Sequence, residues 1–340
     1  MNLEQALFPM TLERGAARRR LAELQGHVIC AGPEAWERVK DVANPPLQVI
    51  TAGSIELADL TRLAAYVPED AKVVVGLGGG TSLDTAKWVA AARALDLVQI
   101  PTVISVDAAF SPSWGYRDRE RLQYAGHVVP GEVIVDPELI GQSSPPLNRA
   151  GVGDLLSCHT ALVDWRLAAD AGQGVPWDEE LATIAGIVLD ELEAAAPEIK
   201  AMSDQGIGFI AGAHRLVGAA RQAARHARFE EGSEHFLAYV VEWLSGRRPA
   251  HGELIAFCVL VMSYVQGEDT DRAVRIVRET GVDARPGHLG VDGPLLARCF
   301  AELPDYAVRE HLDASVIELV ELAPGLASSA FAHACEATGD

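Results

Sequence analysis

Paired cysteines are what this chain most plainly lacks. Its five cysteines, Cys30, Cys158, Cys258, Cys299 and Cys335, are scattered, odd in number and form no CxxC pair. That excludes a disulfide framework and suits a reducing compartment. Positive charge is also in deficit: 28 Lys and Arg stand against 48 Asp and Glu, a formal net charge of -20. So acidic a surface repels a phosphate backbone, which excludes nucleic acid as a general partner. A nucleotide cofactor is still allowed, because backbone N–H groups at a helix start hold a pyrophosphate whatever the global charge. The longest apolar stretch, around Leu254 to Val265, is too short for a membrane span and reads as a buried helix. Met1 to Arg20 lacks the basic, apolar, small-residue order of a secretory signal, so a cytoplasmic location with no membrane partner is expected. Internal repeats and low-complexity tracts are missing too.

What is present is a 340-residue chain, 49% of it hydrophobic, enough for about two domains with large cores. The first part alternates short apolar runs with helical patterns. Strands are predicted over Gly26 to Ala31, Leu47 to Thr51, Lys72 to Leu77, Leu97 to Ser105 and Glu132 to Val135. Helices are predicted over Pro33 to Val42, Ile55 to Tyr66 and Ser82 to Leu95, and a hairpin within Val106 to Pro130. Strands apolar on both faces belong to a parallel sheet with helical crossovers. Pro145-Pro146 reads as a stiff joint, and helical patterns follow with no strand among them. The expected fold is α/β: a Rossmann-like parallel-sheet domain over 1–147, then an all-α domain over 148–340, with the active site in the cleft between them.

Val73 to Lys87 reads VVVGLGGGTSLDTAK. A buried strand runs into Gly78, Gly79 and Gly80 and then a helix, so a phosphate can approach the backbone with no Cβ in its way. The run is neither GxGxxG nor a P-loop. An alternative is a tight turn with a capping box, Thr81 as N-cap and Asp84 three residues on. Asp154, in Gly151-Val152-Gly153-Asp154, sits near a helix start, as either a cap or a ligand. His235 and His251 bracket one helix-turn unit beside the most apolar helix. Each reads either as a hydrogen-bonded core residue or as one of two imidazoles that join a carboxylate on a cation.

Taken together, these residues resemble the superfamily of iron-containing alcohol dehydrogenases, glycerol dehydrogenase, glycerol-1-phosphate dehydrogenase and dehydroquinate synthase. Gly78 to Lys87 is similar to its GGGxxxDxAK nucleotide signature. Ile100 to Pro112 resembles the PTxxSTDAxxS stretch of glycerol dehydrogenases, and Glu132 to Ile140 the strand that follows it. Arg149 to Ser157 resembles the segment with the metal-binding aspartate, and GSEH at 232–235 and HGE at 251–253 its two histidine segments.

The resemblance implies that Asp154, His235 and His251 bind one divalent metal. It implies that Gly78, Gly79, Gly80, Thr81 and Ser82 surround the pyrophosphate of NAD or NADP, with Thr102 and Ser111 along the cofactor. It implies that Asp107 approaches a polyol; read on its own, Asp107 is equally a loop carboxylate or a cap. The fourth ligand of iron alcohol dehydrogenases falls on Cys158, with His159 beside it, so a three-ligand site is expected, zinc favoured over iron or nickel. Ser105 to Pro112 departs from the glycerol-1-phosphate dehydrogenase pattern. Thr51-Ala52-Gly53-Ser54 offers no acidic residue for a ribose 2′-hydroxyl, which leaves NAD and NADP both open.

The activity so implied is metal-assisted hydride transfer between a small polyol or alcohol, phosphorylated or not, and its carbonyl form, in a homo-oligomer. Arg117, Arg119 and Arg121, or Arg247 and Arg248, are candidates for gripping an anionic substituent. A cyclase like dehydroquinate synthase, using NAD transiently, is the first alternative, although the chain holds few lysines. A non-catalytic nucleotide-binding relative is the second.

Overall fold

The computed structural model describes residues 3–118, 121–319 and 325–340. Eight strands occur among them: β1 (Met10–Leu12), β2 (His27–Ala31), β3 (Gln48–Thr51), β4 (Val73–Gly78), β5 (Asp96–Pro101), β6 (Trp114–Asp118), β7 (Arg121–Ala125) and β8 (Glu132–Val135). Six form one parallel sheet in the order β1-β8-β5-β4-β2-β3, and β6 pairs antiparallel with β7 in a separate hairpin.

The apolar runs have a simple cause. Ile29, Ala31, Val75, Leu77, Ile100 and Ile134 point to one side of the sheet, into a core with Ala17, Leu21, Leu24 and Ala35. Val28, Cys30, Ile50, Val74 and Leu97 point to the other side, against Ala64, Ala86, Val89 and Ala90. With helices on both faces, neither strand face meets water, and polar alternation disappears.

One expectation needs correction. β5 stops at Pro101 instead of running to Ser105, because Pro101 already pairs opposite Gly78 and the Thr102 N–H donates to the Gly78 carbonyl at 3.0 Å. Pro145-Pro146 opens a short helix, Pro145–Arg149, since proline suits a first helical turn, where no N–H is needed, and the chain passes from one compact unit to the other within it, between Asn148 and Arg149.

Contacts divide the chain into two compact units. One contains the sheet and runs to Asn148, and Ile210–Ala223 also belongs to it; the other comprises Arg149–Phe209 and Ala224–Asp340. The second unit is built around the helix His251–Gln266, whose residues Leu254 to Met262 are all fully buried. A helix apolar on every side needs neighbours all round. Val152–Leu156, Cys158–Asp170, Ser233–Ser245, Thr270–Thr280 and Leu326–Thr338 supply them. Its start crosses the Val152–Leu156 helix at bare backbone: a Cβ on Gly153 would lie 2.0 Å from the Gly252 carbonyl oxygen.

Candidate metal and cofactor sites

In the sheet unit, β4 ends at Gly78, whose φ of 146° only glycine adopts readily. A Cβ on Gly79 would lie 2.9 Å from Val103 Cγ1, and one on Gly80 3.2 Å from Val106 Cγ2. The glycines therefore let the segment after β5 lie directly against the turn. The helix Gly80–Arg93 starts from Gly79 with no side-chain cap. The capping-box alternative is thus corrected: Thr81 is exposed inside the first turn, and Asp84 faces elsewhere. An uncapped start leaves first-turn N–H groups available to an anion.

The other candidates around this turn are placed as follows. Ser82 is buried, and its Oγ accepts the Gly32 N–H at 3.2 Å. Thr102 is buried, and its carbonyl accepts from Ser143 Oγ at 2.7 Å. Ser111 Oγ lies 3.0 Å from Ser113 Oγ. Asp107 opens a short 3-10 helix, Asp107–Ala109, and its carboxylate accepts from Arg221 Nη2 at 2.7 Å. Arg221 arrives on the Ile210–Ala223 stretch, where a Cβ on Gly218 would lie 2.0 Å from the Phe110 carbonyl oxygen. Sequence reasoning missed this arginine, which lies 114 residues from Asp107.

Local sequence also hid what becomes of the signature's lysine. Lys87 is fully buried, 2.9 Å from Asp84 Oδ1, and its Nζ donates to the Ser113 carbonyl at 2.7 Å. Asp84 Oδ2 accepts the Gly115 N–H at 3.1 Å. Burial raises the Asp84 pKa, against the opposing pull of Lys87 and Gly115. The pair ties the Gly80–Arg93 helix to the entry of the hairpin.

In the helical unit, Asp154, His235 and His251 come together: one ligand atom from each lies within 4.8 Å of the others. Asp154 sits in the first turn of Val152–Leu156. Its Oδ1 lies 3.5 Å from His251 Nε2. Two ligands held by bonds of about 2.1 Å at a tetrahedral angle stand about 3.4 Å apart, so this pair is already at ligand spacing. His251 opens the central helix and His235 lies in the first turn of Ser233–Ser245, their rings 5.6 Å apart. Glu234, which sequence reasoning also passed over, is fully buried and places Oε1 2.8 Å from His235 Nδ1. Burial works to lower the His235 pKa, but the hydrogen bond and charge of Glu234 outweigh it and push the imidazole up to about 9.

The donor set of two imidazoles and a carboxylate could hold zinc, iron or nickel and leave a position open. Cys158 and His159 stand outside the cluster. Of the candidate arginines, Arg117 is in β6 and Arg119 lies outside the described residues, as does the side chain of Arg121. Arg247 lies against Gly290, and Arg248 is exposed.

Comparison with known proteins gives a consistent picture. The family profile of the iron-containing alcohol dehydrogenases matches residues 23–145. The chain is 31% identical over 315 residues to a glycerol-1-phosphate dehydrogenase of Thermofilum pendens, covering 88% of this chain and 87% of that one. It is 28% identical over 297 residues to the enzyme of the same name from Hyperthermus butylicus, covering 83% and 84%. In fold it resembles a probable glycerol dehydrogenase from Sinorhizobium meliloti, with a TM-score of 0.76 at 20% identity and 98% of each chain covered. The glycerol dehydrogenase of Schizosaccharomyces pombe gives 0.75 at 18% identity, covering 98% of this chain and 91% of that one.

Proposed function

The chain belongs to the iron-containing alcohol dehydrogenase superfamily and is a metal-containing, NAD(P)-dependent dehydrogenase of small alcohols or polyols; on that premise we propose which residues do the work. Asp154, His235 and His251 hold one divalent cation, with zinc favoured. The observation that carries the reading is their convergence to within 4.8 Å, two of them buried and the third half-buried. The Gly78–Gly80 turn and the uncapped helix start that follows hold the dinucleotide pyrophosphate through backbone N–H groups. When bound, the cation supplies Lewis acidity toward a substrate oxygen and the nicotinamide supplies hydride chemistry.

The chain's own groups then orient and discriminate. Asp107, held by Arg221 at 2.7 Å, accepts a hydrogen bond from a polyol hydroxyl. We favour a three-carbon polyol or its phosphate as substrate, because relatives that match over 83% and 88% of the chain carry the name glycerol-1-phosphate dehydrogenase.

The test is nicotinamide absorbance with dihydroxyacetone, dihydroxyacetone phosphate, glycerol and glycerol-1-phosphate, before and after chelation. Turnover is expected to disappear on metal removal, to return with zinc, and to be abolished in His251→Ala while NADH binding survives. Unchanged turnover by the metal-free chain would refute the assignment. Metal-dependent conversion of a sugar phosphate without net NADH change would favour the cyclase chemistry instead.

A further inference from the structure

The geometry points to Glu234 as a positioning residue for the metal centre, one that fixes the proton of His235 on Nδ1 and aims Nε2 at the cation. The inference rests on the metal reading above and adds a residue to it.

Glu234 is fully buried, an uncommon place for a carboxylate without a task. Each of its oxygens is engaged. Oε1 accepts the Gly232 N–H at 2.7 Å and lies 2.8 Å from His235 Nδ1. Oε2 accepts from Thr160 Oγ1 at 2.7 Å. A carboxylate has no hydrogen to give, so the short contact to His235 requires the imidazole to donate. In the neutral ring the proton therefore sits on Nδ1, and Nε2 is the nitrogen left to offer a lone pair. An acidic partner on the far nitrogen both orients a ligating imidazole and makes it more basic.

The anchor is itself built in. Thr160 comes from the Cys158–Asp170 helix, and its carbonyl accepts from Gln266 Nε2 at 3.0 Å. Asp164, one turn further along, accepts the Ser233 N–H and the Val316 N–H, both at 2.7 Å. Two carboxylates from below the surface thus clamp the Gly232–His235 turn. This helix supports the turn that carries His235.

The test compares zinc affinity, by chelator competition on the full chain, among the wild type, Glu234→Gln and Thr160→Val. Glutamine keeps an acceptor at Nδ1 and turns its amide toward the Thr160 hydroxyl, so the shape survives and the charge goes. Zinc affinity is expected to fall about 10- to 100-fold in Glu234→Gln and several-fold in Thr160→Val, which also strips Oε2 of its donor and lowers the melting temperature of the metal-free chain. A role limited to structure would lower that melting temperature and spare the affinity of the folded protein. Wild-type affinity in both variants overturns the inference; if Glu234→Gln fails to fold, wild-type affinity in Thr160→Val alone overturns it. A wild-type chain that takes up no zinc defeats the metal reading itself, a different failure from the variants' equality with a zinc-binding parent.

Discussion

Replacing Gly153 with alanine tests the metal centre from its backbone. The new methyl carbon would sit 2.0 Å from the Gly252 oxygen and 2.6 Å from both its carbonyl carbon and Cα. Non-bonded carbon atoms rest at roughly 3.5 Å, so the two segments must part by about 1 Å or more, and no flexible side chain can yield in their place. Overpacking of this kind costs about 1–3 kcal/mol. The alanine returns roughly 0.4–1 kcal/mol through its stiffer unfolded chain, leaving a net loss of about 1–2 kcal/mol. Asp154 follows Gly153 and His251 precedes Gly252, so the same movement pulls apart a pair of ligand atoms now 3.5 Å apart. Chelator competition is expected to show zinc affinity lowered about tenfold or more, since such sites tolerate only about 0.5 Å of displacement. Gly186→Ala is the control, in the helix Glu179–Ala201 with open space where its Cβ would go. It is expected to stabilise the chain slightly and leave zinc binding alone. A Gly153→Ala protein with wild-type stability and zinc affinity would refute the idea that the bare crossing holds the site together.

Two further outcomes follow from buried charge. Lys87→Met leaves the partly buried Asp84 without its cation and is expected to cost up to about 3 kcal/mol in urea unfolding; adding Asp84→Leu should recover much of that loss. Burial lowers the pKa of His27, fully buried with no hydrogen-bond partner for either ring nitrogen among the described residues, below the ordinary 6.5. Its folded pKa thus lies below its unfolded one. Its contribution to stability is full above about pH 6.5 and is lost as the pH falls toward the folded value, where the unfolded chain takes up the proton first. Between about pH 7.5 and 5.5 the urea midpoint should therefore shift downward relative to that of His27→Leu; identical slopes would contradict this, and His235, raised to about 9, gains stability over the same range equally in both proteins. Asp164, raised to about 6 by burial and by Glu234, titrates with the opposite sign, but equally in both proteins.

The central strands were readable because burial on both faces erases polar alternation, as in Val28 to Ala31 and Val73 to Leu77. Their edge was not: β1 is three residues long, Met10–Leu12, too short for any period to show. The Leu326–Thr338 helix is rich in alanine and serine and carries little amphipathic signal. Nor does the local pattern of Ile210–Ala223 show that it keeps company with the sheet, since that depends on Gly218 meeting Phe110, 108 residues away in the chain. The candidate ligands could be named one by one, each beside a helix start. Their convergence could not, because it depends on a glycine crossing and on Glu234, which reads as an ordinary acidic residue in a first helical turn.

Sinking Lys87 among Asp84 and Ser113 has a consequence for the coenzyme. The cation of the nucleotide signature is spent on architecture, so a pyrophosphate at Gly78–Gly80 is met there by peptide dipoles. Dipoles neither titrate nor shed condensed counterions. Coenzyme affinity at this turn is therefore expected to hold through the alkaline range in which an exposed lysine would lose its grip, while salt acts on it by screening both the dipoles and the chain's own negative charge.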